Sequence, residues 1–201
     1  MILNSSKLIG SSILSLHLGG PIGKVTSEIV DPSELKIIAL NVKGPQTGNG
    51  NYGDILDVRY IREYSNIGII IDSIDELVSR GEIIKIDQIM DLNFSIVGLN
   101  VKTKSGTKLG KVVSYNYEPD TMRIMQFIVK RPLIKSFIDP ELVINRSDIC
   151  EVNDYELIID DEKNKVPKSE KKPAEEFVPN FVNPFREGRF AANEASLEED
   201  K

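Results

Sequence analysis

Short runs of alternating apolar and polar residues dominate the chain. Ile13–His17, Ile22–Val30 and Ile37–Lys43 carry β-branched residues at strand spacing, and Gly19-Gly20-Pro21 and Asp31-Pro32-Ser33 separate them with turn chemistry. The second half repeats this plan. Val97–Thr103, Leu109–Tyr117 and Arg123–Lys130 are divided by Lys104-Ser105-Gly106 and Glu118-Pro119-Asp120, and the last run alternates Ile124, Gln126, Ile128 and Lys130. Each series closes on an apolar run, Gly68–Asp72 in one half and Glu156–Asp160 in the other. Short strands with a turn about every ten residues predict an all-β fold of small antiparallel barrels, whose closure removes exposed sheet edges.

The two halves are copies of one unit. Gly23-Lys24-Val25 returns 87 residues later as Gly110-Lys111-Val112, followed by Pro32/Pro119, Ile37/Ile124, Val42-Lys43/Val129-Lys130 and Pro45/Pro132. Nine of the 24 positions in Ile22–Pro45 recur in Leu109–Pro132, too many for unrelated segments. Both flanks align at an offset of 88: Ile9-Gly10 on Val97-Gly98, and Ile61–Asp72 on Ile149–Asp160. A period this long describes a folded unit used twice, not a solenoid.

The repeat divides the chain into a first unit over 1–72, a connector over 73–93, a second unit over 94–162 and a tail over 163–201. A unit of about 70 residues buries only about 60% of its unfolded surface, so packing one unit against the other is expected. The connector is too apolar to be a free linker. Leu77, Val78, Ile83, Ile84, Ile86 and Ile89 predict a helical turn and a short strand or helix packed between the units. The tail holds Pro167, Pro173, Pro179 and Pro184 without strand-like alternation, and it is expected to be disordered.

Charge and cysteine content narrow the function classes. The net charge of −6 gives no electrostatic reason to bind phosphate backbones. The lone Cys150 has no disulfide partner, which fits a reducing compartment. No run reaches the length of a membrane-spanning helix, and Leu8–Leu18 belongs to the first unit, not to a cleaved leader. A cytoplasmic protein without membrane insertion is the expectation.

An apolar-Gly start, a turn, Gly-Lys-Val, an acidic turn and Ile-x-x-x-x-Val, present twice, resemble the PRC-barrel domain family. The closing Ile70-Ile71-Asp72 and Ile158-Ile159-Asp160 also look like that family's last strands. The resemblance covers about Lys7–Asp72 and Phe94–Asp161 and implies two PRC-type barrels in tandem. It further implies a docking or assembly role without catalysis, since such barrels serve beside other proteins. One family member, a ribosome-maturation factor, joins its barrel to a different N-terminal domain, and nothing in this sequence looks like that partner domain. The resemblance carries over no catalytic residues.

The candidate chemistry is sparse. Gly48-Asn49-Gly50-Asn51-Tyr52-Gly53 matches the dinucleotide fingerprint by letter, but Asp54 and Asp57 put negative charge where a phosphate would sit. A loop between strands is expected there. His17 is the only histidine, so no His-His metal pair and no Cys-His constellation is expected within one chain. Cys150 lacks a basic neighbourhood in sequence and reads as structural. Asp160-Asp161-Glu162 and Glu198-Glu199-Asp200 lack calcium-loop spacing. No catalytic, cofactor or metal residues are assigned, and no enzyme activity is expected.

Two surface features remain. Lys102, Lys104, Lys108 and Lys111 cluster on the first hairpin of the second unit beside Tyr115 and Tyr117, a candidate RNA or ribosome contact. Phe177, Phe181, Phe185 and Phe190, with Arg186, place four of the seven phenylalanines in the tail. Pro179 and Pro184 prevent a continuous helix through them. Such a segment suits an extended linear motif that docks on another protein, or one that folds back over an open edge or groove of its own chain. The sequence thus describes an adaptor or scaffold with a protein partner, and, as the alternative, a ribosome-associated or RNA-processing factor. Homo-oligomer formation is left open.

Overall fold

Each repeat builds the same six-stranded motif in the computed structural model, which describes residues 2–48, 51–65, 67–132 and 140–161. These residues fall in one compact unit. In repeat one, β1 (Leu3–Asn4) and a 3₁₀ turn lead into β2 (Ser12–Ser15), β3 (Gly20–Asp31), β4 (Lys36–Lys43), β5 (Ile55–Asp57), β6 (Glu63–Ser65) and β7 (Gly68–Ile71). The connector supplies β8 (Leu77–Val78) and the helix α1 (Ile84–Asp91). Repeat two follows with β9 (Asn100–Thr103), β10 (Lys108–Glu118), β11 (Arg123–Lys130), β12 (Glu141–Asn145), β13 (Ile149–Val152) and β14 (Glu156–Ile159).

The strands pair in the order β6-β7-β2-β3-β4-β5 and, equivalently, β13-β14-β9-β10-β11-β12. Most pairs are antiparallel. The last strand of each repeat, however, returns parallel to its first, as Ile13↔Ile69 in β2–β7 and Val101↔Leu157 in β14–β9. Gly23 and Gly110 are needed where each long hairpin starts. A Cβ on Gly23 would press on the Lys43 carbonyl and the Val42 side chain, and one on Gly110 would collide with the Lys130 carbonyl. The recurrence of Gly-Lys-Val therefore marks a close approach of two backbones.

Two closed antiparallel barrels were expected; the structure instead holds a single open sheet of 14 strands. The reason lies at the hairpin tips. Lys36 of β4 pairs with Arg123 of β11, and the Ile37 amide donates to the Met122 carbonyl while the Ile124 amide donates to the Leu35 carbonyl, both at 3.0 Å. The two repeats are thus stitched into one sheet, with β6 and β13 at its ends. One hydrophobic cluster draws on both, from Ile13, Ile37 and Leu40 to Val112, Phe127 and Ile159.

The segment leading into each repeat covers a long strand of the other. β1 pairs with β10 through Leu3↔Tyr117 and Asn4↔Asn116, and the Tyr115 amide donates to the Ser5 hydroxyl at 3.2 Å. α1, which precedes repeat two, packs on β3 of repeat one, where Ile86 meets Ile29, Ala39 and Ile55. Its apolar positions Ile83, Ile86, Ile89 and Met90 fall three and four residues apart, on one helix face. No helix among the described residues is long and apolar enough to cross a membrane.

Candidate functional site

β5 and β12 occupy equivalent places on the outer side of β4 and β11. Leu40↔Leu56 and Asn41↔Ile55 fix the first register, Phe127↔Ile144 and Ile128↔Val143 the second. Their outer edges differ. β8 pairs with β5 through Ile55↔Val78 and Leu56↔Leu77; on the sheet faces Ile55 is buried with Ile86 of α1, and Leu56 lies in the main core. Among the described residues no strand pairs with the outer edge of β12, and Val143, the equivalent of Ile55, is 53% exposed.

Several features make the β12 edge receptive. Its central residues Leu142, Val143 and Ile144 carry no charge, and charged residues are the usual protection of an edge strand. Val143 and Ile144 are β-branched and favour an extended backbone. Ile144 is anchored in the core, which holds the strand, and among the described residues nothing pairs with its outer side. Main-chain N–H and C=O groups on such a side provide a row of donors and acceptors for an added strand.

One further residue distinguishes the two edges. Gly53, just before β5, has the Val78 backbone lying against it, and a Cβ there would collide with the Val78 carbonyl group. Its equivalent before Val143 is Glu141, which carries the side chain that Gly53 lacks.

The lysine cluster is placed but partly neutralised. Lys102 pairs with Glu156 at 2.6 Å and Lys104 with Asp160 at 3.4 Å. The Cys150 thiol, first, and the Asp160 carboxylate, second, hold the Lys104 pKa above its ordinary value. Lys108 stands across from Lys102, and Lys111 across from Lys130, so two like-charge pairs lie along the hairpin. Asp161 adds negative charge at the turn, accepting from the Ser105 hydroxyl at 2.6 Å and the Ser105 amide at 2.9 Å. Tyr115 and Tyr117 do not stand beside the lysines as stacking surfaces. They are 0% and 2% exposed, beneath β1 and its 3₁₀ turn.

The remaining sequence candidates disperse. His17 is exposed beyond the end of β2, and Cys150 is exposed on β13. Among the described residues no group of three or more His, Cys, Asp or Glu side chains is placed to hold a metal. Of the glycine-rich loop, Gly48 and Gly53 are described and Asn49 and Gly50 are not. Phe177, Phe181, Phe185, Arg186 and Phe190 lie outside the described residues. Sequence reasoning missed Val143 as a determinant. A signal was available in the offset of 88, which sets Leu77-Val78 against Lys165-Val166 and so marks β12 as lacking an apolar copy of β8.

No protein-family model matches this chain, and no curated protein is significantly similar to it.

Proposed function

We propose that this protein is a non-catalytic interaction module, an adaptor or assembly factor, which receives an extended segment of a protein partner on the outer edge of β12. The observation that supports this reading is the difference between two equivalent strands: β5 has its outer edge paired by β8, and among the described residues no strand pairs with the outer edge of β12. Strand addition draws affinity from main-chain hydrogen bonds and specificity from alternate side chains, so it requires no catalytic constellation. The PRC-barrel resemblance of the two repeats points the same way, toward docking beside other proteins.

The ribosomal or RNA-processing reading rests on Lys108 and Lys111 and on the same resemblance. Burial of Tyr115 and Tyr117 removes its stacking partners, and the ion pairs of Lys102 and Lys104 weaken its electrostatics. Affinity capture from native lysate separates the two readings, using the full chain, Val143→Lys, and a Lys104→Glu/Lys108→Glu/Lys111→Glu variant, each with and without nuclease. Docking on β12 predicts a specific protein lost with Val143→Lys and retained by the lysine variant after nuclease treatment. Capture that ignores Val143→Lys, and that disappears with nuclease or the lysine changes, overturns it in favour of RNA.

A further inference from the structure

The two repeats differ where each lead-in meets a long strand of the other. The lead-in of repeat one lies on β10: Leu3 pairs with Tyr117, and the Ser5 hydroxyl accepts from the Tyr115 amide. At the offset of 87, β3 carries Glu28 where β10 carries Tyr115, and Val30 where it carries Tyr117. The lead-in of repeat two runs on from α1 and, among the described residues, forms no strand pairing with β3. A cleft of about 340 Å³ lies between them.

The walls of this cleft are chemically one-sided. Glu28 is the single charged residue on them, and no lysine or arginine lines the cleft. Among the described residues no ion pair engages the Glu28 carboxylate. The Tyr115 hydroxyl beside it is neutral and leaves that charge uncompensated. Asn41 and Asn93 add amide side chains, while Ile89, Met90 and Phe94 supply an apolar wall. Ile89 and Met90 belong to the C-terminal turn of α1, where the negative end of the helix dipole favours a cation. Apolar walls around one convergent charge are the usual form of a small ligand site.

We propose that this cleft binds a cation carried on an apolar stem, with an ammonium or guanidinium head against the Glu28 carboxylate and the stem along Ile89, Met90 and Phe94. Such a group occurs as a free alkylamine and as a lysine or arginine side chain of another protein, and both offer the same chemistry. The aliphatic stem covers apolar surface while the head keeps its charge paired. The site lies on repeat one, apart from the β12 edge, and stands or falls without it.

Amide resonances of the full chain test this during titration with pentylammonium and with a capped Ala-Lys-Ala tripeptide. Each is run beside an uncharged counterpart, pentanol and capped Ala-Gln-Ala. Cation binding predicts shifts centred on Ser27–Val30 and Asn93–Ile96, at least about tenfold weaker binding of each counterpart, and the same loss in Glu28→Gln. Tighter binding of pentylammonium identifies a free amine as the source of the cation, and tighter binding of the tripeptide a protein side chain. Shifts reproduced by the counterparts, unchanged affinity in Glu28→Gln, or no shifts with either cation overturn the proposal. If Glu28→Gln fails to fold, the comparison of cations with their counterparts on the wild-type chain decides.

Discussion

Lys36 pairs with Arg123, the residue that stands in its own place in the second repeat. The contact is self-complementary, because Leu35 and Met122, also equivalents, each offer a carbonyl to the other strand's amide. The duplicated unit thus meets itself as a twofold dimer would, within one chain. The two sides differ at Arg146, whose guanidinium donates to the Leu35 carbonyl at 3.0 Å; Val58 holds the equivalent place in repeat one. Arg146→Ala is expected to cost about 1–2 kcal/mol in urea unfolding, while Val58→Ala costs less than about 1 kcal/mol. Equal losses would place no stabilising role on that bond.

Gly110 is held at φ 150° with the Lys130 carbonyl against its Cα, whereas Gly106, at φ 86°, faces open space. Gly110→Ala should therefore destabilise by more than about 3 kcal/mol, since strand backbones must move apart. Gly106→Ala carries only left-handed strain of about 1–2 kcal/mol. Thermal denaturation of the two variants side by side checks the ranking.

The Tyr115 hydroxyl is buried without a hydrogen-bond partner of good geometry. Burial, first, and the Glu28 carboxylate, second, push its pKa well above the usual phenol range. Glu28 is the repeat-one equivalent of Tyr115, so the two sites face each other as the repeats do. Removing an unsatisfied buried hydroxyl releases a desolvation cost of about 1 kcal/mol. Tyr115→Phe is expected to leave the urea midpoint unchanged or raise it, and a fall of more than about 1 kcal/mol would show that the hydroxyl is bonded.

Asp31, 2% exposed, sits where β3 turns toward β4. Burial alone would raise its pKa. The Ser33 hydroxyl at 2.6 Å, the amides of Ser33 and Glu34, and Lys85 at 3.6 Å outweigh that and hold it below the ordinary value. The unfolded chain then takes up this proton more readily than the folded one. Asp31 accordingly contributes stability above about pH 4, and that contribution is lost as pH falls through the lowered folded pKa. Urea midpoints between about pH 7 and about pH 3 should fall less steeply for Asp31→Asn than for wild type. Parallel curves would contradict the assignment.

Local pattern exposed much of this fold. The run Arg123–Lys130 is β11 as it stands, and the two Gly-Lys-Val sites mark the long hairpins. Features set by distant partners were not legible. Nothing in Lys36 or Arg123 announces that they pair, and the lysine-flanked tyrosines look exposed until β1, more than 100 residues earlier, covers them. Barrel closure failed as an expectation because alternation specifies which side chains point inward, not which strand edges meet. The β12 edge is set apart by pairing alone, since β8 lies on β5 and no described strand lies on the outer edge of β12.

The most direct measurement follows backbone amide resonances of the full chain while the protein partner recovered by affinity capture is added. Docking on the β12 edge predicts shifts centred on Leu142, Val143 and Ile144 and their β11 partners, abolished by adding Val143→Lys to the same chain. Shifts centred on the Lys102–Lys111 hairpin, or none at saturating partner, would contradict it.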